Sequence, residues 1–388
     1  MRILFILDEF LPENSGGAAN IAFGLAKGMI KLNHDLLVLT AIYNPEKVGD
    51  IEIEGVKIKR ILTYPFGRLR NFKNLKNRRI LNESEKIIRE YRPDVVHIHT
   101  LHHRFSYGVI GLAKKLSKTV FLTFHDAQIV FNGKLFPKND YKITWFDNLK
   151  KDGLGYNPLQ RFFIKRALKN ADKLFAVSNA LKKALEINGI GNIKVIHNGI
   201  NFNEWPMDEF QGNNILFIGR VDEAKGANVL IRIMGAINSK IPDANLIIVG
   251  DENFKAGDNK NIKTLPWQYD RSEVKKIFTK AKIVVVPSLY LDPFPTVNLE
   301  AMAASRPVVG TCFGGTPEVV VDNETGHIVN PYDEKKLIEK IIDLLENPDR
   351  MKLFGSNGRK RIEKFFSLEK QIQETLTIYN KLLMKKKQ

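Results

Sequence analysis

The chain reads as an α/β protein of two doubly wound, Rossmann-like domains facing across a cleft. Three observations predict this. Its 388 residues suffice for two separate cores. Short apolar runs alternate with amphipathic helical stretches from residue 2 to about residue 199. After a linker around 202–212 the same alternation starts afresh.

In order, residues 2–7 form an apolar strand, followed by a loop over 8–17 and a helix with Ile21, Leu25, Met29 and Leu32 on one face. Gly16-Gly17 at the helix entry lets the backbone approach a ligand closely, or simply turns the chain. Residues 35–42 are a strand, and 51–62 alternate well enough for one or two more. From 57 to 79 there are nine cations and no acid, interleaved with Tyr64, Phe66, Leu69, Phe72 and Leu75. Residues 92–99 enter a strand from a helix, and the strand 119–124 ends in His125-Asp126. The aromatic-rich stretch 129–156 reads as a loop insertion. A strand at 172–178 and the segment 195–199 close the first half. In the second half, strand 215–219 ends in Arg220, and Lys225-Gly226 precedes a helix to 237. Then come a strand at 246–250, a helix at 270–281 and a strand at 283–286. Helices at 333–346, 349–365 and 368–384 complete the chain.

The stretch 288–317 organises the rest. A buried strand feeds a loop with Pro293 and Pro295, then a helix over 297–304, a strand over 307–310 and Gly314-Gly315. A strand leading through a loop into a helix places free amides and a positive helix end at the sheet's C-terminal edge, which suits phosphate. Asp292 precedes the helix and Glu300 lies about one turn into it, so both carboxylates can face one ligand. A ribose diphosphate fits: amides for the phosphates, a carboxylate for the ribose hydroxyls.

Asp292-Pro293-Phe294-Pro295, Leu299-Glu300-Ala301-Met302-Ala303-Ala304, Pro307-Val308-Val309-Gly310 and Gly314-Gly315 resemble the E-x7-E signature of retaining nucleotide-sugar glycosyltransferases of family 4 (group 1), which have the GT-B fold. The chain departs from the signature at Asp292, where the family usually carries Glu. The resemblance implies an acceptor-side domain over 1–200, a nucleotide-sugar domain over 201–366, and a helix over 367–388 crossing back to the first domain. It also implies that Arg220 and Lys225 grip the donor diphosphate, that Gly16 and Gly17 lie beside it, and that His125 contacts the donor sugar. Gln268, Pro293, Phe294, Pro295, Thr296 and Glu300 complete the implied donor contacts, with a base near 267–269. His125, Asp292, Arg220 and Lys225 form the expected catalytic set. Retention with front-face attack, the departing phosphate taking the acceptor's proton, is the implied route.

The chain contains no Asp-x-Asp pair, so fixed cations rather than a metal are expected to stabilise the leaving diphosphate. His97, His99, His102 and His103 lie close together, but two alternate along a strand and no Cys or carboxylate sits at ligand spacing, so no metal or other cofactor is expected there. The single cysteine, Cys312, forms no internal disulfide and reads as a small core residue. Apolar runs are too short for a signal peptide or a span, and the chain is expected to be cytoplasmic.

The net charge of +17 is unevenly spread: residues 1–200 hold +15 and residues 201–388 hold +2. A basic first half points to an anionic partner surface. The expectation is a peripheral enzyme at the inner membrane face, with Arg68, Arg70, Lys73 and Lys76 meeting anionic headgroups and a lipid-linked, membrane-proximal or saccharide acceptor. Competing readings are a nucleotide-sugar epimerase of the same fold, a non-catalytic homologue, and a nucleic-acid-binding protein. The last lacks any recognisable binding fold, so no nucleic acid is expected.

Overall fold

Eight strands build the first sheet: β1 Arg2–Leu7, β2 Asp35–Ile42, β3 Gly49–Ile53, β4 Val56–Leu62, β5 Val95–Ile98, β6 Thr119–Phe124, β7 Lys173–Ala176 and β8 Ile193–Val195. Their spatial order is β3-β4-β2-β1-β5-β6-β7-β8, and all pairs are parallel except β3–β4. The central strands read as nearly unbroken apolar runs because helices cover both faces: β1 is buried from its second residue on, and β5 and β6 throughout. The segment 51–62 resolves into the antiparallel pair β3–β4, joined through Glu54 and Gly55, both at positive φ as a tight hairpin requires.

The second sheet has six strands: β9 Asn213–Ile218, β10 Ala244–Gly250, β11 Ile262–Pro266, β12 Ile283–Val286, β13 Val308–Thr311 and β14 Gly326–Val329. Their order is β11-β10-β9-β12-β13-β14, all parallel. Counted within this sheet the order is 3-2-1-4-5-6, the doubly wound dinucleotide-fold arrangement. The computed structural model describes residues 1–13, 16–207, 212–251, 254, 257 and 259–386. The chain divides into two units, Met1–His197 with Leu368–Gln388, and Asn198–Ser367.

Three sequence readings change. The stretch 129–156 is not all loop: Thr144 caps a helix over Trp145–Asp152 through a reciprocal bond with Asp147. The sequence pattern does not single out two strands: β11, whose five residues carry only two large aliphatics and end in proline, and β14, whose four residues include Gly326 and His327. Cys312 is exposed. It is the first residue past β13, its N–H is held by the Val329 carbonyl at 2.9 Å, and its side chain turns out of the core.

The terminal helix Leu368–Lys385 belongs to the first unit and packs on the helix Gly17–Lys31. Gly24 and Gly28 make that approach possible; a Cβ on Gly28 would lie 2.1 Å from Ile372 Cδ1. Tyr379 carries the helix into the core, fully buried, its ring 4.5 Å from that of Phe121. Its hydroxyl is hydrogen-bonded to His97 Nδ1, while His97 Nε2 meets Thr123 Oγ1 at 2.7 Å. Tyr379→Phe should therefore leave His97 Nδ1 buried without a partner and cost about 1–3 kcal/mol in urea unfolding. A larger loss is expected for Tyr379→Ala, which adds a cavity.

Candidate functional site

In a doubly wound sheet the connections run to opposite faces on either side of one strand pair, leaving a crevice at the strands' C-terminal ends. In the second unit that pair is β9 and β12. Past β9, Asp222 accepts a bond from the Lys225 amide at 2.9 Å and closes the short turn Glu223–Lys225. Gly226 follows at φ 81°; a Cβ there would lie 2.2 Å from the Pro287 carbonyl oxygen. That contact seats the turn against the chain leaving β12. Lys225 Nζ thereby reaches Asp292 Oδ2 at 2.6 Å, and Ser288 Oγ donates to the same oxygen at 3.0 Å. Asp292 is buried. Burial disfavours the Lys225 ammonium, but the Asp292 carboxylate more than offsets it, so its pKa rises well above the ordinary lysine value. Tyr290, 5.7 Å from Lys225 Nζ at its ring centroid, is pushed up by burial and by Asp292, and stays a neutral phenol.

The Asp292 loop is clamped from its other side. A Cβ on Gly314, at φ 68°, would lie 2.1 Å from the Asp292 carbonyl oxygen, and the Gly315 amide donates to that oxygen at 2.9 Å. The helix Thr296–Ala303 then begins after Pro295 with no side-chain cap; the Asn298 amide bonds the Pro295 carbonyl at 3.1 Å, which leaves the amides of Thr296 and Val297 for an outside acceptor. On this helix Glu300 is buried and paired with Arg271 at 3.0 Å. Arg220 stays exposed, 3.8 Å from Asp222.

The first unit repeats the arrangement where β1 and β5 part. Asp8, just past β1, accepts the backbone amides of His102, His103, Arg104 and Phe105, fixing the loop after β5. His97, His99 and His125 form a stack: ring centroids are 4.1 Å apart for the first pair and 5.3 Å for the second, with His99 Nδ1 and His125 Nε2 at 3.1 Å. Burial lowers His125 to about 4 and His97 to about 3, and His99 likewise falls well below its ordinary value. All three are neutral at pH 7. Asp126 turns aside to His102 Nε2 at 3.3 Å. Burial opposes both charges, but the pairing wins: Asp126 drops to about 2 and His102 rises.

Residues 206–361 match the model for glycosyl transferases group 1, and residues 15–204 that for glycosyltransferase family 4. An uncharacterized glycosyltransferase of Methanocaldococcus jannaschii is 31% identical over 307 residues, 77% of this chain and 78% of that protein. The chain belongs to the group 1 glycosyltransferases. An alpha-maltose-1-phosphate synthase of Mycolicibacterium smegmatis is 26% identical over 327 residues, covering 74% and 79% of the two chains. The sucrose-phosphate synthase structure of Thermosynechococcus elongatus superimposes with a TM-score of 0.74 over 99% of both chains at 20% identity. HepE of Anabaena in complex with UDP gives 0.70, covering 98% of this chain and all of that one at 18% identity. The fold is GT-B.

This glycosyltransferase brings together Lys225, Asp292 and the segment Pro293–Thr296, with Arg220 close enough to influence the Lys225 ammonium and the Tyr290 phenol electrostatically. Phe294 turns its ring onto Phe366, leaving only its main chain for a ligand. Gln268 stands apart: it follows the edge strand β11, and its amide bonds the Pro266 carbonyl. Gly16 and Gly17 sit at the uncapped start of their helix, with Gly16 in ordinary extended backbone. Arg70 corrects the sequence reading. Its guanidinium turns inward to Gln128 Oε1 and Asn132 Oδ1, both at 3.1 Å, because its four-residue helix is held against the following elements through buried Asn71. Arg68, Lys73 and Lys76 are exposed. Sequence reasoning missed Arg271, Ser288 and Asp8, and considered His102 only as a metal ligand. Only Asp8, an acid directly ending a buried strand, carried a local signal.

The three neutral histidines predict a pH dependence. Each binds no proton when folded near pH 5 but does when unfolded, so stability falls as pH drops from 6.5 toward the folded values. The limiting slope is about 1.4 kcal/mol per pH unit for each histidine. His102 works oppositely, its contribution fading as pH rises through its raised value. Urea midpoints should fall between pH 7 and 5, and His125→Gln should flatten that slope by roughly one proton's worth.

Proposed function

We propose that the protein transfers a glycosyl group from a nucleoside diphosphate sugar to an acceptor, with retention and without a metal. The carrying observation is the Lys225–Asp292 pair beside the uncapped helix at Thr296, at the point where the second sheet's connections diverge. As the sugar–phosphate bond breaks, negative charge grows on the leaving diphosphate. Lys225, Arg220 and the helix amides supply fixed positive charge there. Glu300 is the carboxylate for the ribose, its orientation held by Arg271. The HepE structure named as a UDP complex makes UDP-sugars the first donors to test.

Asp292 is poorly suited as a covalent nucleophile, because Lys225 and Ser288 both engage Oδ2 and the residue is 4% exposed. This favours front-face attack. The acceptor oxygen bonds to the anomeric carbon as the bond to the β-phosphate oxygen breaks, and that oxygen takes the acceptor's proton. Neutral His125 offers a hydrogen bond to the donor sugar without adding charge. The basic first unit is read as the acceptor side, with a lipid-linked or membrane-proximal acceptor at the inner membrane face.

Purified protein assayed against a UDP-sugar panel, with the anomer of the product determined, tests the reading; no turnover and no UDP binding would overturn it. Arg220→Ala is the clean probe of leaving-group stabilisation, since its side chain is 66% exposed and its loss should leave unfolding within about 0.5 kcal/mol. Turnover should fall at least about tenfold and activity should survive EDTA. Loss of activity on chelation with rescue by Mn²⁺ would refute metal independence.

Glu300→Gln should weaken UDP binding by about 2 kcal/mol in calorimetry, the scale of a hydrogen bond to a charged acceptor. Unchanged affinity would make Glu300 a structural partner of Arg271 only.

A further inference from the structure

One helix in the first unit is built inside out, and a second is apolar on both its buried and its exposed side. Trp145–Asp152 buries only a polar residue, Asn148, while Trp145, Phe146 and Leu149 face outward. Trp145 is 64% exposed on a helix whose capping box shows it to be well built. The following turn Gly153–Gly155 carries Leu154 at 98% exposure. Helix Gln160–Leu168 turns Ile164 and Leu168 inward and leaves Phe162 and Phe163 exposed. A helix on a water-facing surface keeps its outer face polar.

A third piece joins this ridge. Leu69 and Phe72, on the turn and short helix spanning 67–73, are also exposed. Between them and the helical pair lies buried Asn71, which donates to Asp152 Oδ2 at 2.9 Å and to the Gly155 carbonyl at 3.0 Å. A Cβ on Gly155 would lie 2.6 Å from the Arg68 carbonyl oxygen. The three segments thus form one surface rather than three loose ones.

Its charge is one-sided. Residues 64–79 contain six cations and no carboxylate, and residues 142–169 contain seven cations against Asp147 and Asp152. Both acids are engaged, Asp147 with Thr144 and Asp152 with Asn71 and Asn132. Large apolar side chains, including a tryptophan, fringed by a large excess of cations match the boundary of an anionic bilayer. A second copy of the chain is a poor occupant, because a two-fold contact would set this cationic fringe against itself.

We infer that the ridge formed by residues 67–73 and 145–163 is the surface by which the protein docks onto an anionic lipid bilayer. Aromatic and leucine side chains enter the headgroup boundary, while Arg68, Lys73, Lys150 and Lys151 meet the phosphates. This replaces the cationic segment 57–79 as the contact, since Phe66 is buried and Arg70 points inward. The inference deepens the membrane-proximal acceptor reading, and rests on it for the purpose of docking.

Full-length protein is floated with phosphatidylcholine vesicles with and without phosphatidylglycerol, alongside calorimetric UDP titration. Binding should require phosphatidylglycerol, weaken in high salt and fall at least about tenfold in the triple variant Trp145→Ser, Phe146→Ser, Phe162→Ser. UDP affinity should be unchanged in that variant, which shows it folded. The milder variant Arg68→Ser, Lys73→Ser should lower binding at low salt only. Equal flotation with both vesicle types, with neither, or undiminished in the triple variant overturns the docking surface. So does a wild-type dimer in light scattering that the triple variant makes monomeric. Flotation with no UDP binding by the wild type would instead sink the donor reading and leave the surface standing.

Discussion

A parallel strand pair cannot be joined by a tight turn, and the rest of this structure depends on that constraint. Apart from the β3–β4 hairpin, parallel neighbours must be joined by crossovers, so loops and helix starts collect at one edge of each sheet. Where the crossovers part, at β1–β5 in one unit and β9–β12 in the other, the edge opens. Asp8, His99 and His125 gather at the first opening; Arg220, Lys225 and Asp292 gather at the second. Chemistry-bearing side chains from distant parts of the chain meet there because the topology leaves room nowhere else on the sheet.

The two openings use charge in opposite ways. In the second unit the buried Asp292 carboxylate raises the pKa of the half-buried Lys225 beside it, which holds a cation beside a helix start. Removing either partner would strand the other, so the pair positions the loops as well as carrying charge. In the first unit burial keeps the stacked imidazoles neutral, and the Asp126 carboxylate pairs with His102 instead of with them. One opening thereby presents a fixed cation and the other uncharged imidazoles.

Close backbone approach gives the second opening its shape. Gly226 sits against Pro287, and Gly314 and Gly315 against Asp292 and Pro293. A side chain at any of them would collide with main chain, which cannot swing aside. The loops are consequently held by atoms adjoining the candidate site, and Asp292 reaches Lys225 despite being one methylene shorter than the residue usual in the family.

Local sequence determined the elements and the family. Periodic apolar runs marked most of the strands and the longer helices, because burial on both faces leaves a clear pattern; the helices Gly108–Leu116, Trp145–Asp152, Gln160–Leu168 and Asn179–Ile187 carried no comparable signal. The stretch from Asp292 to Gly315 marked the candidate site, because phosphate-suited loops require particular residues in a fixed order. Tertiary structure alone decided the partners. That Glu300 meets Arg271, that Asp126 serves His102, and that Arg70 turns inward all depend on contacts between residues far apart in the chain. It alone decided which way the Trp145–Asp152 helix faces: eight residues of mixed pattern fix a helix but not its orientation, which follows from the Asn71–Asp152 anchor beneath it.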